Sequence, residues 1–300
     1  MALVWDIQSN DQMDVDAFLD HVQATVDVQD VDSLASCAPA LRALANDREF
    51  VLRAFHEELK ACWSGSRRNE HQPQSIQIRN SADFYIRANI WLPIAHGSRT
   101  ETFQKRLYAY DLPHDHNFNF LTVGYFGEGY TTDIYEYRHE NCIGFVGEDA
   151  GARFAGRYKL EPGRVMLYRS GRDVHIQYAP ETVSVSLNLM GRNIELDRQQ
   201  QYIFDMEQGR LIGGAGDVVS NRLFLVEAAA YLADDETVGI LHDLVAAHPC
   251  AKTRACALQS LDSAAPSEGE RARSTASAET LELSRLPLIT GNYARSYSGA

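Results

Sequence analysis

Three histidines in this 300-residue sequence have the type and spacing to do chemistry. His114 and His116 stand two apart in the run from Tyr110 to Phe120, and His175 follows a Pro162-Gly163 turn and the apolar stretch Val165 to Tyr168. Imidazole suits divalent iron, zinc, copper and nickel, and three neutral donors leave positions open for water, substrate or oxygen. Residues two apart on a strand share a face, so His114 and His116 are expected to present their rings to one cavity. The pair, the turn Phe126-Gly-Glu-Gly-Tyr130 after it, and the Pro-Gly strand ending in His175 together predict one metal held by these three. His21, His56, His71, His96, His242 and His248 lack metal spacing, and His139, beside Arg138 and Glu140, reads as a surface residue.

An open metal site also needs groups that orient a substrate. Arg79 and Arg87 lie in early strand-like runs and Arg106 just ahead of the histidine pair; each could grip a substrate carboxylate through a bidentate guanidinium. Among the many tyrosines (Tyr125, Tyr135, Tyr137, Tyr168, Tyr178), Tyr135 and Tyr178 are candidates for proton transfer together with Glu136. Asp173 could orient a ligand histidine through its second nitrogen.

The elements that must position these groups are strands. From residue 75 to 195 the chain is a series of short runs rich in β-branched and aromatic residues, broken by Gly turns, which argues for a barrel or sandwich. Residues 1–64 read as helical, with a capping box at Asn46–Glu49 and an apolar face of Val51, Phe55, Leu59 and Cys62. A polar, turn-rich stretch ends this segment before Ser75. Residues 220–262 read as three Ala/Leu-rich helices, the third opening at Pro249. Residues 264–280 lack large apolar side chains and read as a flexible linker, leaving 281–300 as a tail.

The histidine segments resemble the two motifs of the cupin superfamily. The first is a His-x-His pair followed on the same strand by a Glu and closed by a Gly, and Gly127 and Gly129 stand at that closing position. The second is a Gly turn, a strand, a further Gly and the last His, matched by Gly163, Gly171 and His175, with Arg169 in place of the usual Pro and one extra residue before the histidine. The resemblance implies a double-stranded β-helix (jelly-roll) barrel, mainly β, with N- and C-terminal helical segments around it. Where the motif carries its glutamate this chain has Phe120 and Leu121, so the site is similar to that of the three-histidine cupins of the cysteine dioxygenase type. That branch implies Fe(II) and oxygen chemistry on a small polar metabolite, an amino acid or thiol; Zn, Ni, Mn or Cu would also suit the donors. Glu128, Asp133 and Glu136 are the alternative carboxylates from the turn or the next strand, but the expectation is that no carboxylate completes the site.

Composition narrows the alternatives. With 45% apolar and 23% charged residues the chain is globular in type, and a formal charge of −13 disfavours nucleic acid and anionic membranes. No signal peptide and no apolar run of membrane-spanning length is visible. Five irregularly spaced cysteines suggest neither disulfides nor a zinc ribbon, so a cytoplasmic location is expected, with a small-molecule substrate as partner and a homodimer as the candidate assembly. A metal-assisted isomerase, lyase or hydrolase and a non-catalytic small-molecule-binding cupin are the rival readings.

Overall fold

A computed structural model describes residues 3–63, 74–192, 199–232 and 234–290, with Cys62 as backbone only. The expected boundary at 64–73 and the tail beyond 290 lie outside the described residues. The chain divides into two units: Met1–Tyr137 with Arg153–Asn193, and Arg138–Ala152 with Ile194–Ala300. Residues 138–152, read from sequence as barrel, thus belong to the second unit.

The first unit opens with strand β1 (Leu3–Asp6), where the sequence suggested helix, and continues with helices α1 (Val15–Thr25), α2 (Val31–Ser36), α3 (Ala38–Leu44) and α4 (Phe50–Trp63). Asp14 starts α1 by accepting the amides of Asp16 and Ala17, and Phe18 and Val22, four apart, bury the face beneath. The capping box at Asn46 does not form. Asn46 donates instead to the Ser9 and Asp11 carbonyls, and Asp47 accepts the Glu49 amide ahead of α4. Of the apolar face expected on α4, Val51 is buried while Phe55 and Leu59 stay exposed, because α4 meets the core through Phe50, Val51 and Ala54.

Then follow β2 (Ser75–Asn80), β3 (Phe84–Trp91), α5 (Glu101–Tyr108), β4 (Phe120–Phe126), β5 (Thr131–Glu136), β6 (Arg153–Lys159), β7 (Arg164–Tyr168), β8 (Asp173–Gln177) and β9 (Ser184–Gly191). They make an antiparallel six-stranded sheet, β1-β7-β4-β9-β3-β2, and an antiparallel three-stranded one, β6-β5-β8. From β4 onward the chain crosses between the sheets after β4, β6, β7 and β8, the alternation of a jelly roll. Gly129 permits the first crossing: its φ is 83°, and a Cβ there would stand 2.1 Å from the Leu160 carbonyl oxygen.

Alternation along the strands sorts the side chains onto two faces. Leu121, Val123, Val165, Leu187 and Leu189 face outward and pack with Phe18, Leu34, Leu41 and Leu44 of the N-terminal helices. Phe120, Met166, Tyr168 and Met190 face inward and join Trp91, Tyr130 and Ile134 between the two sheets.

The second unit contains β10 (Tyr202–Asp205) paired with β11 (Arg210–Gly214), then α6 (Val218–Ala229), α7 (Asp235–Ala247), α8 (Ala251–Ala264), α9 (Pro266–Thr275) and α10 (Ala278–Leu283). Asp217 and Asp234 cap α6 and α7. In place of the linker expected over 264–280 stand α9 and α10, with Ala272 only 1% exposed. Small residues let α9 lie close to α8, so large apolar side chains are not needed there. Pro249 lies ahead of α8, not within it. His139 is not a surface residue: its ring stacks on Tyr202 at 5.1 Å and Nε2 lies 2.9 Å from the Gln200 carbonyl. Lys252 Nζ donates to Tyr202 Oη at 2.6 Å and Gln200 Oε1 at 3.2 Å, and burial lowers its pKa to about 8. Among the described residues no helix is long and apolar enough to cross a membrane.

Candidate metal centre

His114 and His116 do not lie on a regular strand; β4 begins only at Phe120. The segment before it runs beside β8 as a ragged partner. Asp111 donates its amide to the Gln177 carbonyl at 2.9 Å, and His114 and His175 exchange backbone hydrogen bonds of 3.2 and 2.9 Å. The Gly171 amide then donates to the His116 carbonyl at 2.8 Å. Entry to this segment is strained: Ala109 and Asp111 have φ of 53° and 58°, in the left-handed region that costs a residue with a Cβ about 1–2 kcal/mol. The surrounding hydrogen bonds hold that geometry in place.

The three rings converge. His175 Nε2 lies 3.0 Å from His116 Nε2 and 3.1 Å from His114 Nε2. His114 Nδ1 is 2.9 Å from the Leu112 carbonyl, which assigns it the proton and leaves Nε2 a lone pair. Burial pushes the pKa of His114 down and that of His175 far down, the latter helped by its two neighbours. Nitrogen lone pairs crowded at 3 Å repel unless a cation or proton lies among them, and burial disfavours the proton. The donor set therefore fits one metal ion. His175 Nδ1 is buried and finds no partner within the protein.

No carboxylate joins the three histidines among the described residues. Glu128 is engaged by Lys159 and Thr182, Asp133 by Arg157 and Tyr178, and Glu136 by Arg169. Asp173 pairs with Arg169 instead of orienting a histidine. Phe120 occupies the missing glutamate's place, stacked on Tyr168 at 4.5 Å and edge-on to His116 at 5.0 Å, while Leu121 faces the outer core.

The remaining candidates separate by strand face. Tyr135 packs on Phe154 at 5.3 Å on the outer face of its sheet. Tyr178 donates to Asp133 at 2.8 Å under the Arg157 guanidinium, and burial raises its pKa to about 12. Neither these two nor Glu136 lies among the converging rings. Arg79 is exposed and donates to the Ile78 carbonyl, and Arg106 lies on α5. Arg87 alone of the three arginines faces the space between the sheets, registered against Asn188, which is in turn registered against Thr122. The next row toward the histidines is Tyr85, Met190, Phe120 and Tyr168, whose ring is 4.7 Å from His175.

This inner face is unusually unsatisfied. Arg87 Nε, Asn89 Oδ1, Thr122 Oγ1, Thr132 Oγ1 and Tyr168 Oη are buried with no hydrogen-bond partner within the protein. The Tyr168 hydroxyl lies beside those of Tyr130 and Thr132. Burial raises the pKa of Tyr130 and Tyr168, so both stay protonated, and lowers that of Arg87. Most buried polar groups in proteins are paired, so these atoms, four on the six-stranded sheet and Thr132 on the three-stranded one, point to something between the sheets that pairs them. Asp115, fully buried between the two histidines and bonded by the Tyr137 hydroxyl, gave no signal in the sequence beyond its place in the motif.

No protein-family profile and no curated protein sequence matches the chain. Among solved structures, a salicylate 1,2-dioxygenase from Pseudaminobacter salicylatoxidans is similar over 52% of this chain at 14% identity and TM-score 0.30; the chain spans only 37% of that enzyme. A hydroquinone 1,2-dioxygenase from Sphingomonas sp. TTNP3 with 4-hydroxybenzoate bound is similar over 42% of this chain and 69% of its own, at 13% identity and TM-score 0.25. A cupin-superfamily sugar phosphate isomerase from Silicibacter pomeroyi covers 45% of this chain and 68% of its own, at 12% identity and TM-score 0.25. Likenesses this loose say nothing of this chain's reaction. Its own alternating strands and converging rings make the first unit a jelly roll of two antiparallel sheets with a three-histidine group.

Proposed function

We propose that the barrel is an Fe(II)-dependent oxygenase of the thiol dioxygenase type, acting on a small polar metabolite, an amino acid or a thiol that carries a carboxylate. One observation carries the reading: three imidazoles converge without a carboxylate, and across the Phe120 and Tyr168 row from them Arg87 faces inward with its Nε unpaired. His114, His116 and His175 would hold the ion. Bound there, ferrous iron supplies a Lewis acid and a source of electrons for oxygen, its charge not reduced by any carboxylate ligand.

The protein's own groups do the rest. Arg87 grips the substrate carboxylate, which relieves its unpaired Nε. Asn89 Oδ1 accepts a hydrogen bond from a substrate N–H or O–H. The Tyr168 hydroxyl keeps its proton and donates it as a hydrogen bond beside the rings. Phe120 and Tyr168, stacked, exclude water from that side.

Oxygen uptake by Fe(II)-loaded protein, across a panel of small amino acids and mercapto acids, tests this. The expected result is substrate-dependent uptake matched by product. Equal turnover with and without oxygen would assign a metal-assisted isomerase, lyase or hydrolase instead. Binding without turnover would assign a non-catalytic cupin.

A further inference from the structure

The second unit holds a cavity of about 680 Å³, lined by Val146 and Ile212, by Glu227 and Tyr231 at the α6 end, by Gln259 and Ser260 of α8, and by the segment Pro287–Thr290. Its size is that of a small-molecule site. Its polar chemistry is one-sided. The Gln259 amide donates to the Ser284 and Leu286 carbonyls at 3.0 and 2.9 Å. Ser260 donates to the Val226 carbonyl at 2.8 Å, and Ser263 to that of Gln259 at 2.9 Å. Cys256 turns its thiol to the Leu223 carbonyl, with its pKa raised to about 12 by burial. Every one of these donors is spent on the protein, so apart from the Tyr231 hydroxyl at the rim these side chains offer a ligand acceptors: Gln259 Oε1, hydroxyl lone pairs and the Glu227 carboxylate.

Glu227 fixes the sign of the ligand. It is half-buried and accepts from the Thr290 hydroxyl at 2.6 Å, and among the described residues no lysine or arginine pairs with it. A carboxylate on an apolar wall is stabilised by a cation. Tyr231, 84% exposed at the rim, offers a ring face to the same charge. Ile212, Leu288 and Ile289 supply apolar surface for the rest of the molecule. We infer that this cavity binds a small primary amine with an apolar body, its ammonium seated on Glu227.

Benzylamine, benzyl alcohol and benzoate, identical in body and different in charge, are the probes, titrated into the full chain by calorimetry at neutral pH. The expected result is saturable binding of benzylamine at one site, binding of the alcohol weaker by about tenfold or more, and none of benzoate, since a hydrogen bond to a charged group is worth about that factor. Glu227→Gln should weaken benzylamine by about tenfold and leave the alcohol unchanged, with the metal content of the barrel unaltered. Ala230→Trp, which fills the lining from the helix end, should weaken both. Equal binding of the three probes, undiminished benzylamine binding by Glu227→Gln, or no binding by the unmodified chain at about 1 mM would each overturn the inference.

Discussion

His114 and His175, 61 residues apart, are joined both through the backbone and at the ring tips: they exchange hydrogen bonds of 3.2 and 2.9 Å, and their Nε2 atoms stand 3.1 Å apart. The ring separation therefore follows from strand pairing, because a backbone pair fixes where its side chains can reach. Gly171, bonded to the His116 carbonyl, brings the third ring to the same place. The sheet therefore positions all three donors.

Arg87 should be a residue whose loss harms function and not stability. A partly buried guanidinium without a partner is a liability to the fold, and replacing such a group by an apolar side chain of similar volume is often neutral or stabilising. Arg87→Met should keep its urea midpoint or raise it, bind metal normally, and lose turnover of carboxylate substrates by about tenfold or more. A fall in stability of more than about 2 kcal/mol would mean that Arg87 is structural.

Phe120 should behave in the opposite way. Its ring is 5% exposed, stacks on Tyr168 and abuts His116. Phe120→Ala should cost about 3–5 kcal/mol in denaturant unfolding, the range for emptying an aromatic core site. A change under about 1 kcal/mol would show that the wall between the sheets is not packed as described.

Lys252 gives the second unit a pH signature. Its pKa is about 8 against an ordinary 10.5, because burial disfavours the charged amine. Between those values the unfolded chain holds a proton that the folded chain has released, so folding stability rises with pH through that window. Relative to Lys252→Met, the unmodified protein should gain about 1.5 kcal/mol between pH 8 and pH 9.5. Chemical denaturation at the two pH values reads the difference; a constant gap would place the Lys252 pKa near its ordinary value.

The three-histidine group was legible in the sequence because each of its two motifs is local: a His-x-His pair with its Gly turn, and a Pro-Gly strand before His175. The inward-facing polar residues were legible only in part. Arg79 and Arg87 both sit in strand-like runs, and which one faces inward depends on parity and register, set by pairing with β9 far along the chain. The same limit put Tyr135, which faces outward, among the catalytic candidates while Tyr168 faces the rings. The helix α9 was illegible for another reason. Gly269 and Ala272 pack on α8 because they are small, and smallness reads as a linker when only large apolar residues are counted.

The most direct test of the three-histidine centre is elemental analysis of purified protein beside His175→Ala and Glu136→Gln. Glu136 is bound to Arg169 at 2.6 Å and stands outside the three-ring group, whereas His175 stands within 3.1 Å of both other rings. About one equivalent of divalent metal is expected in the unmodified protein and in Glu136→Gln, and loss of it in His175→Ala with the fold retained. Full metal content in His175→Ala, or loss in Glu136→Gln, would contradict that expectation.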